Sequence, residues 1–413
     1  MLAISALLLA LAYPAGGWSP LAFVALVPAV WLAIRASARW RLVWTSYLVA
    51  LLWWLGMLHW ISDVTIGGYL VLGLILAAYT PLTLLAVRFI HRRFPTAMTM
   101  VVPMVWVTVE MFRSHLIAGG FEWFLLGHTQ GAFGPGQMPP RLAQIADLFG
   151  VPGVTFVIAM TNGLIVDFLV RRWAKPGKLG RRRLSRTLRA SLVAWVVVIV
   201  ASLVYGQWRI GQTDALPAGM IDVAVVQTNV PQSNKTNPTP DQVVKDFEQL
   251  LELTRRAGEA EPDPELIVWP ETVSPAALNP EAVAESFEIA RSYAGVTGEQ
   301  LKQSRNRAAF ERMAEQFGVS LDELPAALRD WNLFYARIRG RVSELAAEVG
   351  AAVVVGAPGR YLPPDDARTN AAYLVRSDGS FDPQRYDKIQ LVPGGEYLPW
   401  VGAIPGLKDR FIQ

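Results

Sequence analysis

The chain has 413 residues, 52% of them hydrophobic, and a formal net charge of +4. That hydrophobic share excludes a disordered protein or an ordinary water-soluble one as a description of the whole. Cysteine is absent, so these residues supply no disulfide, no thiolate metal site and no thiol nucleophile.

Charge and tryptophan are unevenly distributed. Up to Ile210 there are 18 Lys and Arg against five Asp and Glu, and the remainder reverses to 20 against 29. Twelve of the 15 tryptophans lie in the basic part, which suits a segment anchored at two membrane interfaces. The pI of about 9.3 therefore reports membrane topology, and no nucleic-acid partner is expected.

A helix needs about 20 mainly apolar residues to cross a bilayer. In chain order, stretches near 1–13, 20–35, 42–62, 67–90, 97–112, 150–170 and 190–207 predict about seven spans, a polytopic α-helical membrane bundle over residues 1–210. The first two are short and joined by the Pro14–Pro20 turn, which leaves open either a tilt or a missing N-terminal extension. A signal peptide is disfavoured, since the first stretch lacks a basic n-region and a cleavage site. Arg35, Arg39 and Arg41 follow the second span, Arg88, Arg92 and Arg93 end the fourth, and a run from Arg171 to Arg189 follows the sixth. Basic residues near span ends stay cytoplasmic, so these connections face inward and everything after Tyr205 faces outward.

The connection 113–150 is too long and aromatic for a simple turn. It predicts an interfacial or re-entrant segment with Phe121, Trp123 and Phe124 at headgroup depth. Glu110 and Arg113, at i and i+3, are either a functional pair or two charges neutralising one another at the membrane edge. His59 and Asp63 stand at i and i+4, but with 4 His in the chain and no third ligand nearby no metal site is predicted.

Past Gly211 short β-branched runs alternate with charged helical stretches, the pattern of an α/β domain. Strands are predicted at 221–228, 266–270, 351–358 and 370–375, and a helix at 240–256. Residues 280–345 read as a helical insertion, a solvated appendage with a cap at Ser320 ahead of "LDELPAALRDW". Glu271 stands at a strand's C-terminal end, where α/β sheets build their sites. Desolvated by Trp269, its carboxylate could serve as a general base, although a first-turn helix glutamate is the commoner reading of a lone Glu there. Lys388 follows "RYD", on an extended segment that could aim it at an oxyanion. Glu396 lies in the "PGGEYLP" turn. Taken singly, Lys388 reads as a surface lysine and Glu396 as a solvated loop residue.

Together these features resemble the carbon-nitrogen hydrolase (nitrilase) superfamily and, with the membrane part, the apolipoprotein N-acyltransferase family. The resemblance rests on "WVTVEMFRSHLIAGGFEWFLLGHTQ" (106–130), "VAVVQTNVPQSNK" (223–235), "IVWPET" (267–272) and "YDKIQLVPGGEYLP" (386–399). It implies an extracytoplasmic nitrilase-like αββα sandwich over 218–413, incomplete at the C-terminus, in a bacterial cell membrane. It also implies transfer of an acyl chain from phospholipid to the amine of a diacylglyceryl cysteine in lipoproteins, through an acyl-enzyme thioester and without a cofactor. By position the general base falls on Glu271, the catalytic lysine on Lys388 and a supporting glutamate on Glu396, while Phe121, Trp123 and Phe124 are assigned to lipid access. The family's cysteine nucleophile has no counterpart in these residues, and Thr236 stands where the family has tryptophan. The chain is accordingly expected to be inactive as it stands. The alternative is a fragment or pseudoenzyme that anchors a polyprenol-phosphate mannosyltransferase, a glycosyltransferase partner.

Overall fold

The computed structural model describes residues 1–13, 17–94, 96–115, 120–131, 140–173, 178–215, 219–231, 238–360 and 368–391. Two compact units divide at Pro217 and Ala218.

The first unit is helical: α1 (Leu2–Ala12), α2 (Ala22–Ala25), α3 (Val27–Arg35), α4 (Arg39–Met57), α5 (Ile66–Ala77), α6 (Tyr79–Arg93), α7 (Met98–His115), α8 (Ala146–Arg172) and α9 (Lys178–Asp214). Each of the seven apolar stretches falls on helix. Among the described residues three helical segments are long and apolar enough to cross a membrane, Ile66–Arg93, Arg141–Arg172 and Arg186–Asp214, while Leu2–Ala12 and Ser19–Arg35 are shorter. Prolines and glycines set the breaks. Pro28 opens α3, and Gly150, at φ 64°, bends the chain inside α8.

In an apolar bundle every such break must find internal hydrogen-bond partners. Asn162 bridges the gap between α2 and α3, accepting from Leu26 N and donating to Ala22 O, both at 2.9 Å. Arg88 closes the end of α3 by donating to the carbonyls of Ala33 and Ala36. Asp167 caps the start of α7, accepting from the backbone N–H of Met98 and Thr99 at 2.9 Å. A Cβ on Gly163 would lie 2.2 Å from Met98 O, so only glycine allows α8 to approach α7 this closely.

The second unit is a mixed five-stranded sheet, β1 (Val223–Val225), β2 (Leu266–Val268), β3 (Ala352–Arg360), β4 (Arg368–Val375) and β5 (Phe381–Asp387), in that spatial order. The first three strands are parallel and the last two pairings antiparallel. Parallel neighbours need long crossovers. The first is α10 (Pro240–Gly258), capped by Thr239, whose hydroxyl accepts from Gln242 N. Its Phe247, Leu250 and Leu251 are buried with Ile267, Val353, Val355 and Tyr373 of the sheet.

The second crossover corrects the expected solvated insertion. It comprises α11 (Pro280–Ser292), α12 (Gly298–Lys302), α13 (Arg307–Phe317) and α14 (Leu324–Val349). Ile338, Val342, Leu345 and Ala346 of α14 belong to the sheet's own core. They recur at helical spacing among Arg337, Arg339, Arg341 and Glu344, whose charge masks the apolar stripe in a reading by composition. Leu301, Ala314, Leu324 and Leu328 form a separate small core for the outer part of the crossover. At Ser320 the backbone N–H and hydroxyl both donate to Glu323 and Glu323 N donates back, a reciprocal cap. The crossover helices α10 and α14 cover one face of the sheet. On the opposite face Val223 and Val225 are exposed, at 47% and 75%, so the described residues form one sheet layer and one helix layer.

Candidate active site

Four residues meet at the carboxyl end of β2. The chain leaves that strand through Trp269, whose N–H donates to Val354 O at 2.9 Å. The indole turns into the core and its Nε1 donates to Thr254 Oγ1 at 2.9 Å. Trp269 therefore does not desolvate Glu271, contrary to the sequence reading: the Glu271 side chain is 63% exposed. The carboxylate is oriented by polar neighbours instead.

A close backbone crossing determines where Glu271 points. The N–H groups of Val273 and Ser274 both donate to Gly356 O at 3.1 Å, and Thr272 adopts φ 48°. A Cβ on Gly356 would lie 2.2 Å from Pro270 O and 3.0 Å from Glu271 Cα. Only glycine on β3 lets the chain pass there. The crossing brings Glu271 over to β4, where Asn370 pairs in register with Pro358.

Asn370 is the hub. Its Nδ2 donates to Glu271 Oε1 at 2.5 Å, its Oδ1 accepts from Thr272 Oγ1 at 2.5 Å, and its backbone O accepts from Lys388 N at 2.7 Å. Lys388 directly follows β5, and its Nζ donates to Glu271 Oε1 at 2.8 Å. The structure thus brings together Glu271 and Lys388, 117 residues apart in sequence. Glu396, and the Lys235–Thr236 pair of the resemblance, lie outside the described residues. Asn370, Thr272 and Gly356 were missed by the sequence reading. The one signal was an asparagine at the head of the apolar run 370–375, a residue type depleted in strands.

An exposed ion pair contributes little to stability. What the arrangement provides is chemistry: a carboxylate able to take a proton, held beside an ammonium able to stabilise an oxyanion. Among the described residues no three His, Asp or Glu side chains converge as a metal site, and His59 Nδ1 pairs with Gly56 O at 3.1 Å.

In the helical unit Glu110 and Arg113 work as a clamp on the loop 120–131. Glu110 accepts from Trp106 Nε1 and Leu126 N, both at 2.8 Å, and from Thr155 Oγ1 at 2.9 Å. Arg113 donates to the carbonyls of Phe121, Trp123 and Phe124 at 3.2, 2.6 and 3.2 Å. The clamp directs Phe121 and Phe124 against Trp54, at 6.1 and 6.0 Å between ring centroids. Trp123 lies against Trp60 instead, at 5.2 Å.

Residues 5–164 match the apolipoprotein N-acyltransferase N-terminal domain. An apolipoprotein N-acyltransferase of Geobacter metallireducens is 28% identical over 98% of this chain and 66% of its own length. Those of Methylococcus capsulatus (30% identical; 73% of this chain, 42% of the relative) and Allorhizobium ampelinum (28%; 86% and 54%) are also similar. The chain thus spans between 42% and 66% of the length of these curated relatives. The matched N-terminal domain and a similarity that extends through both units make the chain similar to the apolipoprotein N-acyltransferases along nearly its whole length.

Proposed function

We propose that these residues belong to a bacterial membrane enzyme that transfers an acyl chain from phospholipid to the N-terminal amine of diacylglyceryl-cysteine lipoproteins. The observation that carries the reading is the convergence of Lys388 Nζ and Asn370 Nδ2 on one carboxylate oxygen of Glu271. Glu271 takes the proton of a cysteine thiol, and the thiolate attacks the phospholipid ester carbonyl. The Lys388 ammonium stabilises the tetrahedral oxyanion. Collapse expels the lysophospholipid alkoxide, which takes the proton back from Glu271 and leaves a thioester. The lipoprotein amine then attacks the thioester, loses its proton to Glu271 and becomes an amide, and the thiolate is reprotonated. The 413 residues contain no cysteine, so on this mechanism the thiol comes from outside them.

The helical unit on this reading crosses the membrane about seven times, with Arg35, Arg88 and Arg171 on cytoplasmic connections and the sheet unit outside. The uneven basic charge and the three long apolar segments support it. Phe121, Trp123 and Phe124 are assigned to lipid access. The test uses the full-length gene product and a radiolabelled phospholipid. Glu271→Gln and Lys388→Ala should each slow acyl transfer by about 10²–10⁴-fold. Unchanged turnover in Glu271→Gln would sink the assignment, as would a labelled acyl adduct formed on the 413-residue chain alone.

A further inference from the structure

Thr272 directly follows Glu271, and two observations set it apart from an ordinary turn residue. The first is its backbone. At φ 48° it lies in the left-handed region, where glycine is the usual occupant and a β-branched side chain crowds the main chain. Phe124 and Asn229 are the other described residues that adopt a positive φ without being glycine, and neither is β-branched. Such a conformation persists only where the surroundings hold it, and such residues gather at working sites. Here the next two N–H groups, of Val273 and Ser274, fasten the chain to Gly356 O at 3.1 Å.

The second is its hydroxyl, which lies 2.5 Å from Asn370 Oδ1, 98 residues away in sequence. The direction of that bond follows by elimination. An ionised carboxylate only accepts, so the Asn370 atom 2.5 Å from Glu271 Oε1 is the amide nitrogen. The carbonyl oxygen of the same amide then faces Thr272, and the hydroxyl must donate to it. The hydroxyl therefore fixes the rotation of the amide. The amide in turn fixes the Glu271 oxygen that Lys388 Nζ reaches at 2.8 Å. Glycine would satisfy the backbone at this position but has no hydroxyl to give.

We infer that Thr272 is a positioning residue of the site: its hydroxyl, delivered by a left-handed turn, orients the Asn370 amide and through it the Glu271 carboxylate that accepts the proton. The inference rests on the proposed acyl-transfer reading and deepens it by naming the side chain that sets the general base in place.

Acyl transfer from radiolabelled phospholipid, measured on the full-length gene product, tests this. Thr272→Val keeps the branched shape and loses the hydroxyl; it should lower kcat about tenfold, the scale of one lost hydrogen bond, and leave KM for the phospholipid unchanged. Thr272→Ser should restore most of that rate. Thr272→Gly relieves the left-handed backbone and also lacks the hydroxyl. It should be as slow as Thr272→Val, while the urea midpoint of the sheet unit does not fall. Because Thr272 acts through Asn370, adding Thr272→Val to Asn370→Ala should cost nothing further. Wild-type turnover in Thr272→Val or Thr272→Gly, a Thr272→Ser variant as slow as Thr272→Val, or additive losses in the double variant would overturn the inference. Glu271→Gln in the same assay separates the two claims. If it turns over like wild type, the acyl-transfer reading falls; if it is slowed and Thr272→Val is not, this inference alone falls.

Discussion

Gly356 and Asn370 show how a site forms from residues with no reactive group of their own. Gly356 admits the Pro270–Thr272 backbone across β3, and Asn370 then fixes the carboxylate that the crossing delivers. Gly356→Ala places a methyl within 2.2 Å of Pro270 O, and the backbone must move. The expected cost is about 1–3 kcal/mol, read by hydrogen exchange at the β2 and β3 amides of the intact chain. Unchanged protection would show that the crossing is not a close contact. Glu271 and Lys388 were legible as residue types at strand ends, but their 2.8 Å contact was not. Strand order and register produce that contact, and no local pattern encodes them.

At the scale of elements, α10 and α14 make the sheet unit a folded body. Ile338→Ala in α14 should destabilise it by about 2–5 kcal/mol, since a fully buried branched side chain leaves a cavity. Leu301→Ala should loosen only the small outer core. Urea titration of both variants, followed by hydrogen exchange at the β2 and β3 amides, separates the two outcomes. Equal losses would mean that the outer crossover and the sheet unfold as one.

The same two helices carry a pH dependence. The Arg341 guanidinium donates to Glu248 and holds its carboxyl below the usual range. A depressed folded value means that the pair's contribution is present above the unfolded carboxylate value of about 4.3 and lost as pH falls through the folded one. Acid titration of the urea midpoint should show this loss, and Arg341→Leu should flatten it in that window. The apolar stripe of α14 was readable by its spacing, but a solvated helix and a core helix with charged flanks share one composition. Only its packing on Val353 and Val355 distinguishes them.

For the whole molecule, the absence of cysteine makes the proposed topology directly testable. Ser37→Cys, in the connection after α3, should resist an impermeant maleimide applied outside the cell. Ser62→Cys, before α5, and Ser304→Cys, in the sheet unit, should react. Labelling of the first and protection of the others would reverse the orientation. Two units of opposite charge and hydropathy were legible in the sequence alone, because burial in lipid and burial in a water-soluble core demand different compositions over many residues. The helical stretches were legible for the same reason, since apolar helices and their breaks are local. The meeting of Glu271 with Lys388, the clamp of Glu110 and Arg113 on their loop, and the buried face of α14 were decided by tertiary structure. Each depends on atoms distant in sequence approaching to hydrogen-bond or van der Waals range, and that follows from strand order and helix packing.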